Sequence, residues 1–148
     1  KFFTGYRKTA IKPGEILTEV TFPVPDRGTK PGYCKLGRRN AMAISVASVA
    51  MVLGMNGQSC TDASIALGAV APLPLRAKKA EALLVGKPVD EGLARKCGEL
   101  AASGAKPIDD IRASAEYRRL MCEVLVQRIL CQTLALEGEV SNLPREGD

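Results

Sequence analysis

The segment Tyr33-Cys34-Lys35-Leu36-Gly37-Arg38-Arg39-Asn40 sets Lys35, Arg38 and Arg39 within five positions of one another around a glycine. A cation cluster of this kind can face an anion: an ammonium steadies charge that develops beside it, and a guanidinium binds phosphate or carboxylate in a planar fork. The alternative is a solvated turn. Asp109-Asp110 is the other constellation with chemical potential, as a metal or acid/base dyad. It follows Pro107-Ile108 and precedes a helix start, where carboxylates favour the helix dipole, so a capping or loop role is the better reading. Histidine is absent, which removes the commonest general base and metal ligand along with any Ser-His or Cys-His nucleophile. The five cysteines, Cys34, Cys60, Cys97, Cys122 and Cys131, form no C-x-x-C pair and read as reduced thiols in a cytoplasmic setting. No metal site is expected of them. Phosphate-cradling G-x-x-x-x-G-K-[ST] and G-x-G-x-x-G loops and the calcium loop pattern are also missing.

The elements that must hold these residues are legible from periodicity. Glu15 to Phe22 mixes apolar and polar residues before Pro23 and Pro25 and predicts a half-buried strand. A turn-rich stretch from Pro25 to Gly32 leads to a short second strand, Tyr33 to Leu36. Ala43 to Leu53 is β-branched and small, and Asn56-Gly57 signals a tight hairpin returning as Thr61 to Ala71. The returning strand carries Ala63, Ile65, Leu67 and Ala69 on one face and Asp62, Ser64, Ala66 and Gly68 on the other, where small residues permit close approach of another surface. Helices are predicted from Leu75 to Val85, from the Asp90 cap to about Ser103, and from the Ser114 cap towards Leu136, with Gly138 as a stop. In the third, Leu120, Met121, Val124, Leu125, Ile129, Leu130 and Leu134 form an apolar stripe, with Arg118, Arg119, Glu123 and Gln127 assigned to the other faces. The expected fold is α+β: an antiparallel sheet of three to four strands followed by three helices packed on one face.

The 148 residues suffice for one core, and no stretch is apolar enough to span a membrane. The net charge of +5 is concentrated at the start: residues 1–40 hold nine of the 21 Lys/Arg and three of the 16 Asp/Glu. That balance suits a phosphate-bearing cofactor, an acidic partner or nucleic acid. With three Tyr, three Phe and no Trp, stacking platforms for single-stranded nucleic acid are sparse, so a free-standing basic module for RNA or an acidic protein is the secondary reading. The opening at Lys1, without Met or a signal architecture, reads as the middle of a longer polypeptide. Expected organisation is a strap over residues 1–14 from a preceding domain, an α+β domain over 15–137 and a polar tail over 138–148.

Four segments occur in one order: Phe2-Phe3-Thr4-Gly5-Tyr6-Arg7-Lys8-Thr9, Lys12-Pro13-Gly14-Glu15-Ile16-Leu17, Lys35-Leu36-Gly37-Arg38-Arg39-Asn40-Ala41-Met42-Ala43-Ile44, and Asp110-Ile111-Arg112-Ala113-Ser114-Ala115-Glu116-Tyr117-Arg118-Arg119. Together they resemble the C-terminal domain of the FAD-binding subunit of molybdenum hydroxylases, the xanthine dehydrogenase and carbon monoxide dehydrogenase family. The resemblance implies a two-part flavoprotein in which an N-terminal FAD-binding domain with Gly-rich loops, absent here, holds the FAD and this domain closes over one side of the isoalloxazine. By the same resemblance Leu17 and Lys35 approach the flavin, while molybdenum-pterin and [2Fe-2S] clusters belong to partner subunits or domains. The domain alone is then no catalyst but a part of a multi-subunit oxidoreductase, with neither nucleic acid nor a membrane span among its expected partners. The hydroxylated substrate and the electron acceptor are not written in these residues.

Overall fold

A computed structural model describes residues 2–26, 28–39 and 42–135. Two short strands, β1 (Phe3–Gly5) and β2 (Lys8–Thr9), form a small antiparallel ribbon. A four-stranded antiparallel sheet follows in the order β3 (Thr29–Leu36), β4 (Ala47–Asn56), β5 (Ser59–Gly68) and β6 (Leu75–Arg76). The chain then forms α1 (Lys78–Leu84), α2 (Glu91–Ser103) and α3 (Ala115–Leu134). The α+β architecture expected from the sequence is the one observed, with helices on one face.

Local chemistry explains the boundaries. β4 and β5 join at Asn56-Gly57, and Gly57 takes the left-handed backbone the tight turn requires, with φ 59°. Asp90 and Ser114 accept the N–H groups of Leu93 and Tyr117 at 2.7 Å and 3.1 Å, as N-caps do. Gly86, with φ 78°, lies just past the end of α1.

Alternation along the central strands separates two faces. Ala47, Val49, Met51 and Leu53 of β4 and Ala63, Ile65 and Leu67 of β5 are buried under the helices. α3 packs on β3 and β4, α1 packs on β5, and α2 lies against α1 and α3. Small residues allow the helices to approach: Ala94, Cys97, Gly98, Ala101 and Ala102 form the buried side of α2. A Cβ on Gly98 would stand 2.6 Å from the carbonyl oxygen of Glu123, a backbone atom of α3 that cannot move alone. Gly98→Ala is therefore expected to destabilise by ~1–3 kcal/mol in urea unfolding, although alanine favours a helix by ~1 kcal/mol over glycine. A neutral or stabilising result would mean that the two helices are free to part.

Five boundaries differ from the sequence reading, among them the returning strand, which runs Ser59–Gly68 rather than Thr61 to Ala71 and leaves Ala69 exposed beyond its end. Glu15 to Phe22 forms no strand; the segment is exposed, with Ile16 85% and Phe22 78% accessible. β3 begins at Thr29 rather than Tyr33 and runs through Pro31, which an edge strand tolerates because the missing N–H can face outward. Residues 43–46 precede β4 instead of belonging to it, and Leu75-Arg76 pairs with Leu67 and Ala66 as β6 instead of opening a helix. The predicted ends at Leu136 and Gly138 and the tail over 138–148 lie outside the described residues, as do Asn40 and Ala41.

Candidate functional site: the uncovered sheet face

The helix-free face of the sheet is built by the residues that alternate with the core. Register places Lys35 beside Ser48 and Gly68, Tyr33 beside Ala50, Ala66 and Arg76, and Pro31 beside Val52 and Ser64. Cys34 and Leu36 pack against the core, so Lys35 between them stands on the open side. Ser48, Ala50, Ser64, Ala66 and Gly68 thus make a low platform across two strands, with Tyr33 and Lys35 along one margin and Arg76 at the other. The platform is tight: a Cβ on Gly68 would stand 2.4 Å from Ser48 Oγ. Tyr33 is 67% accessible and Val52 41%, and among the described residues no helix covers this side. A flat, partly apolar group would find contact area here without displacing bulky side chains.

The three cations of the Lys35 cluster have separate tasks. Lys35 Nζ donates to the Ala43 carbonyl oxygen at 3.4 Å and keeps donors to spare, since an ammonium has three. Arg38 Nη1 donates to Ile111 O at 3.3 Å and Arg39 Nη2 to Met42 O at 2.9 Å, fastening the turn after β3 to its neighbours. The structure therefore separates them: Lys35 faces the platform, and the two arginines brace backbone. Leu17 lies on the exposed segment before β3, 56% accessible, and forms no part of the sheet.

Next to this end of the sheet stands a residue that sequence reasoning assigned to the wrong face. Arg118 of α3 is 4% exposed. Its Nη1 donates to Val46 O at 2.9 Å and Ala69 O at 3.0 Å, and Nη2 to Asp110 Oδ1 at 2.6 Å. Asp110 also accepts the Arg112 N–H at 2.8 Å and the Arg112 guanidinium at 2.8 Å. The Arg112 N–H bond is foremost in holding the Asp110 carboxyl well below the usual carboxylate range; partial desolvation opposes it, and the Arg118 and Arg112 guanidinium bonds reinforce it. Asp109 Oδ1 accepts the Ala115 N–H at 2.7 Å. The aspartate pair is thus a loop and cap device, as its place before a helix implied. A cavity of about 490 Å³ borders this corner, lined by Tyr6, Ile44, Ala69, Lys106, Ile108 and Arg118 among others. A larger cleft of about 590 Å³, bordered by Lys30, Gln58, Val89, Asp90, Glu91 and Thr133 among others, touches the edge of the described chain.

Burial disfavours the thiolate form of the buried cysteines. Burial pushes Cys97 up to about 12, aided by the neighbouring Cys60 and Glu81, and Cys122 up to about 11. Among the described residues no three His, Cys, Asp or Glu side chains converge on a possible metal ion, and no helix is long and apolar enough to cross a membrane.

Comparison with known proteins bears on the family of the chain. The family model described as the CO dehydrogenase flavoprotein C-terminal domain matches residues 32–133. The carbon monoxide dehydrogenase medium chain of Afipia carboxidovorans is 40% identical over 127 residues, covering 86% of this chain and 44% of that protein. The glyceraldehyde dehydrogenase medium chain of Sulfolobus acidocaldarius is 34% identical, again covering 86% of this chain and 44% of the relative. Among solved structures, a reconstituted CO dehydrogenase from Oligotropha carboxidovorans superposes with a TM-score of 0.83 at 38% identity, covering 92% of this chain and 47% of that one. A carbon monoxide dehydrogenase from Hydrogenophaga pseudoflava that lacks the Mo-pyranopterin moiety of its cofactor gives 0.85 at 32% identity, covering 90% and 46%. The chain spans less than half the length of these relatives.

Proposed function

The chain belongs to the CO dehydrogenase flavoprotein C-terminal domain family, and from that premise we propose that its uncovered sheet face closes over the isoalloxazine of an FAD held mainly by a separate N-terminal domain. The proposal extends to the setting: a molybdenum hydroxylase in which partner subunits or domains carry the molybdenum-pterin and [2Fe-2S] centres. The relatives are described as medium chains or FAD subunits of dehydrogenases of carbon monoxide, nicotinate and xanthine. The observation that carries the reading is the platform of Ser48, Ala50, Ser64, Ala66 and Gly68, bare of helices and bordered by Lys35. A planar ring system fits such a surface, because only small side chains stand between it and the backbone.

When bound, the flavin supplies the electron-carrying chemistry that links the iron–sulfur centres to an external acceptor. The residues of this chain exclude water from one side of the ring and set the charge beside it. Lys35 presents an ammonium on the open face, where a cation lowers the energy of negative charge on a reduced ring. Leu17 supplies apolar contact from the exposed segment before β3. Neither side chain moves protons in this reading; both shape the surroundings.

Lys35→Ala in the complete flavin-carrying subunit is expected to weaken FAD retention by roughly 10- to 150-fold, the scale of one charge-assisted bond of ~1.5–3 kcal/mol. The reduction potential of the bound flavin should become more negative, and Lys35→Arg should recover most of it. Unchanged retention and potential in Lys35→Ala would remove the assignment. Leu17→Ala tests the second contact, with a smaller loss of retention and no change in potential.

A further inference from the structure

We propose that Arg118 is a positioning residue for the flavin contact: from the helical side it fixes the strand ends around Lys35, and so sets where the Lys35 ammonium stands against the ring. The inference rests on the reading above, since it takes Lys35 as the group beside the flavin. Its evidence is the way the three long strands end. Ser48 and Gly68 form the last pair of the β4–β5 ladder, and Val46 and Ala69 lie just beyond it, at the entry to β4 and the exit from β5. Both offer a carbonyl oxygen to the same Arg118 Nη1, at 2.9 Å and 3.0 Å. Two carbonyls cannot bond one another, but one guanidinium nitrogen carries two N–H groups, so Arg118 joins acceptors that the ladder cannot pair. Val46 in turn donates its N–H to the carbonyl of Leu36, the neighbour of Lys35, at 2.7 Å. The ends of β3, β4 and β5 therefore meet in one hydrogen-bonded knot with a buried side chain at its centre.

The link to Lys35 is short. Lys35 Nζ donates to Ala43 O at 3.4 Å, and Ala43 stands three positions before Val46. Ala43 has little room to shift, because a Cβ on Gly37 would lie 2.7 Å from the Ala43 Cβ. The ammonium thus takes its place from a carbonyl whose chain is pinned at Val46 by Arg118 and pressed at Ala43 by the turn after β3.

Backbone conformation marks the same corner. Met42 and Ala69 hold φ 49° and 63°, in the left-handed region that costs a residue with a side chain roughly 1–2 kcal/mol. Each has its carbonyl taken by an arginine, Met42 by Arg39 at 2.9 Å and Ala69 by Arg118. The other such residues among those described, Arg7 and Ala135, lie outside the four-stranded sheet, and the hairpin at the far end of that sheet uses Gly57 instead. A corner that needed only to be stable could take glycine at both positions. Strain of this kind persists where its surroundings over-determine it, and it gathers where the geometry of a site is fixed.

The test compares single and double variants of the complete flavin-carrying subunit, read as retention and reduction potential of the bound flavin. Arg118→Lys keeps the charge but not the fork that spans both carbonyls and Asp110. It is expected to loosen FAD retention roughly 3- to 10-fold and to make the potential more negative, as Lys35→Ala does. In a Lys35→Ala background the same change should leave the potential unmoved, because no ammonium remains to be misplaced. Gly98→Ala, which disturbs the crossing of α2 and α3, controls for lost stability and should not move the potential. A shift in Lys35→Ala with none in Arg118→Lys, in a subunit whose β4 and β5 stay protected from hydrogen exchange, overturns the positioning role alone. Equal shifts with and without Lys35, or a Gly98→Ala shift as large, overturn it as well. No shift in Lys35→Ala removes the flavin reading and the inference with it. Should Arg118→Lys not fold, Gly37→Ala displaces Ala43 from outside the core: it should shift the potential in the same direction, Ala43→Gly added to it should restore the value, and an unmoved potential in Gly37→Ala overturns the proposal.

Discussion

An Arg118→Met variant is expected to lose about 3–5 kcal/mol of stability, the cost of removing one partner from a buried charged network. That corresponds to a fall in Tm of roughly 10 °C or more for a domain of this size. The side chain reaches Val46 O, Ala69 O and Asp110 Oδ1 from a position 4% exposed, so it ties together the residue preceding β4, the residue following β5 and the loop before α3. Met fills much of the volume but leaves two carbonyl oxygens without this donor, and Asp110 keeps only Arg112 and two backbone N–H groups. Ala69 is also held in the left-handed region, φ 63°, which alanine enters at a cost and which the Arg118 bond to its carbonyl helps to maintain. One feature softens the loss: Arg118 Nε is buried without a partner, so its desolvation is recovered when the guanidinium is removed. Combining Arg118→Met with Asp110→Asn should cost less than the sum of the two, because the second change relieves the orphaned carboxylate. Arg118→Lys should fall between wild type and Met, keeping charge but not the fork that reaches three acceptors. A loss below about 1 kcal/mol for Arg118→Met would show that the network contributes little.

Arg118 also marks the limit of what periodicity reveals. The three- and four-residue spacing in α3 finds Leu125, Ile129 and Leu130, which are buried, but it also counts Leu120, which is 50% accessible, and sends Arg118 outward. Apolar spacing assumes that a helix meets one apolar surface, whereas α3 meets β3, β4 and α2, and its first turn meets backbone carbonyls at the end of the sheet. An arginine four residues after a Ser cap, with two aspartates just upstream, was the available signal. The central hairpin was legible because Asn56-Gly57 and the alternation around it act locally. The Glu15–Phe22 strand was misplaced for the opposite reason: its pattern is genuine, but a strand needs a partner edge, and partner edges are not local. Leu75-Arg76 went the same way, since two residues of β pairing are set by the neighbour β5 and not by propensity. Of the site, Lys35 and the small residues of β5 could be read in advance. The platform could not, because it exists only once register sets Ser48 and Ala50 beside Gly68 and Ala66.

Glu81→Ala should cost about 2–4 kcal/mol, with a pH dependence that identifies the cause. β6 pairs with only Ala66 and Leu67, so at Ile65 the edge of β5 has no strand beside it. Two groups at the start of the first helix take over: Ala77 N–H donates to Ile65 O at 2.9 Å, and Glu81 Oε1 accepts the Ile65 N–H at 2.9 Å. The carboxylate is 5% exposed and also meets Arg76 Nε at 2.6 Å and Lys78 Nζ at 3.2 Å. Burial pushes its pKa up, but the Arg76, Ile65 and Lys78 bonds together outweigh burial and leave it below the ordinary 4.5. Arg76 and Lys78 are 45% and 71% exposed, so water and salt screen their share, and most of the expected loss comes from the stranded Ile65 N–H. Because the folded-state value is depressed, the stabilisation from ionised Glu81 is complete above the ordinary carboxyl range. It is lost as pH falls through the lower folded-state value. Glu81→Gln keeps an oxygen for Ile65 but no charge, so the gap between wild type and this variant should be widest near neutral pH and close on acidification below 4.5. A gap that stays constant from neutral to acidic pH would mean that Glu81 acts only as a neutral acceptor. Since Arg76 also donates to Ser64 Oγ at 2.9 Å, the loss of Glu81 should loosen the Arg76 margin of the platform while leaving Lys35 in place.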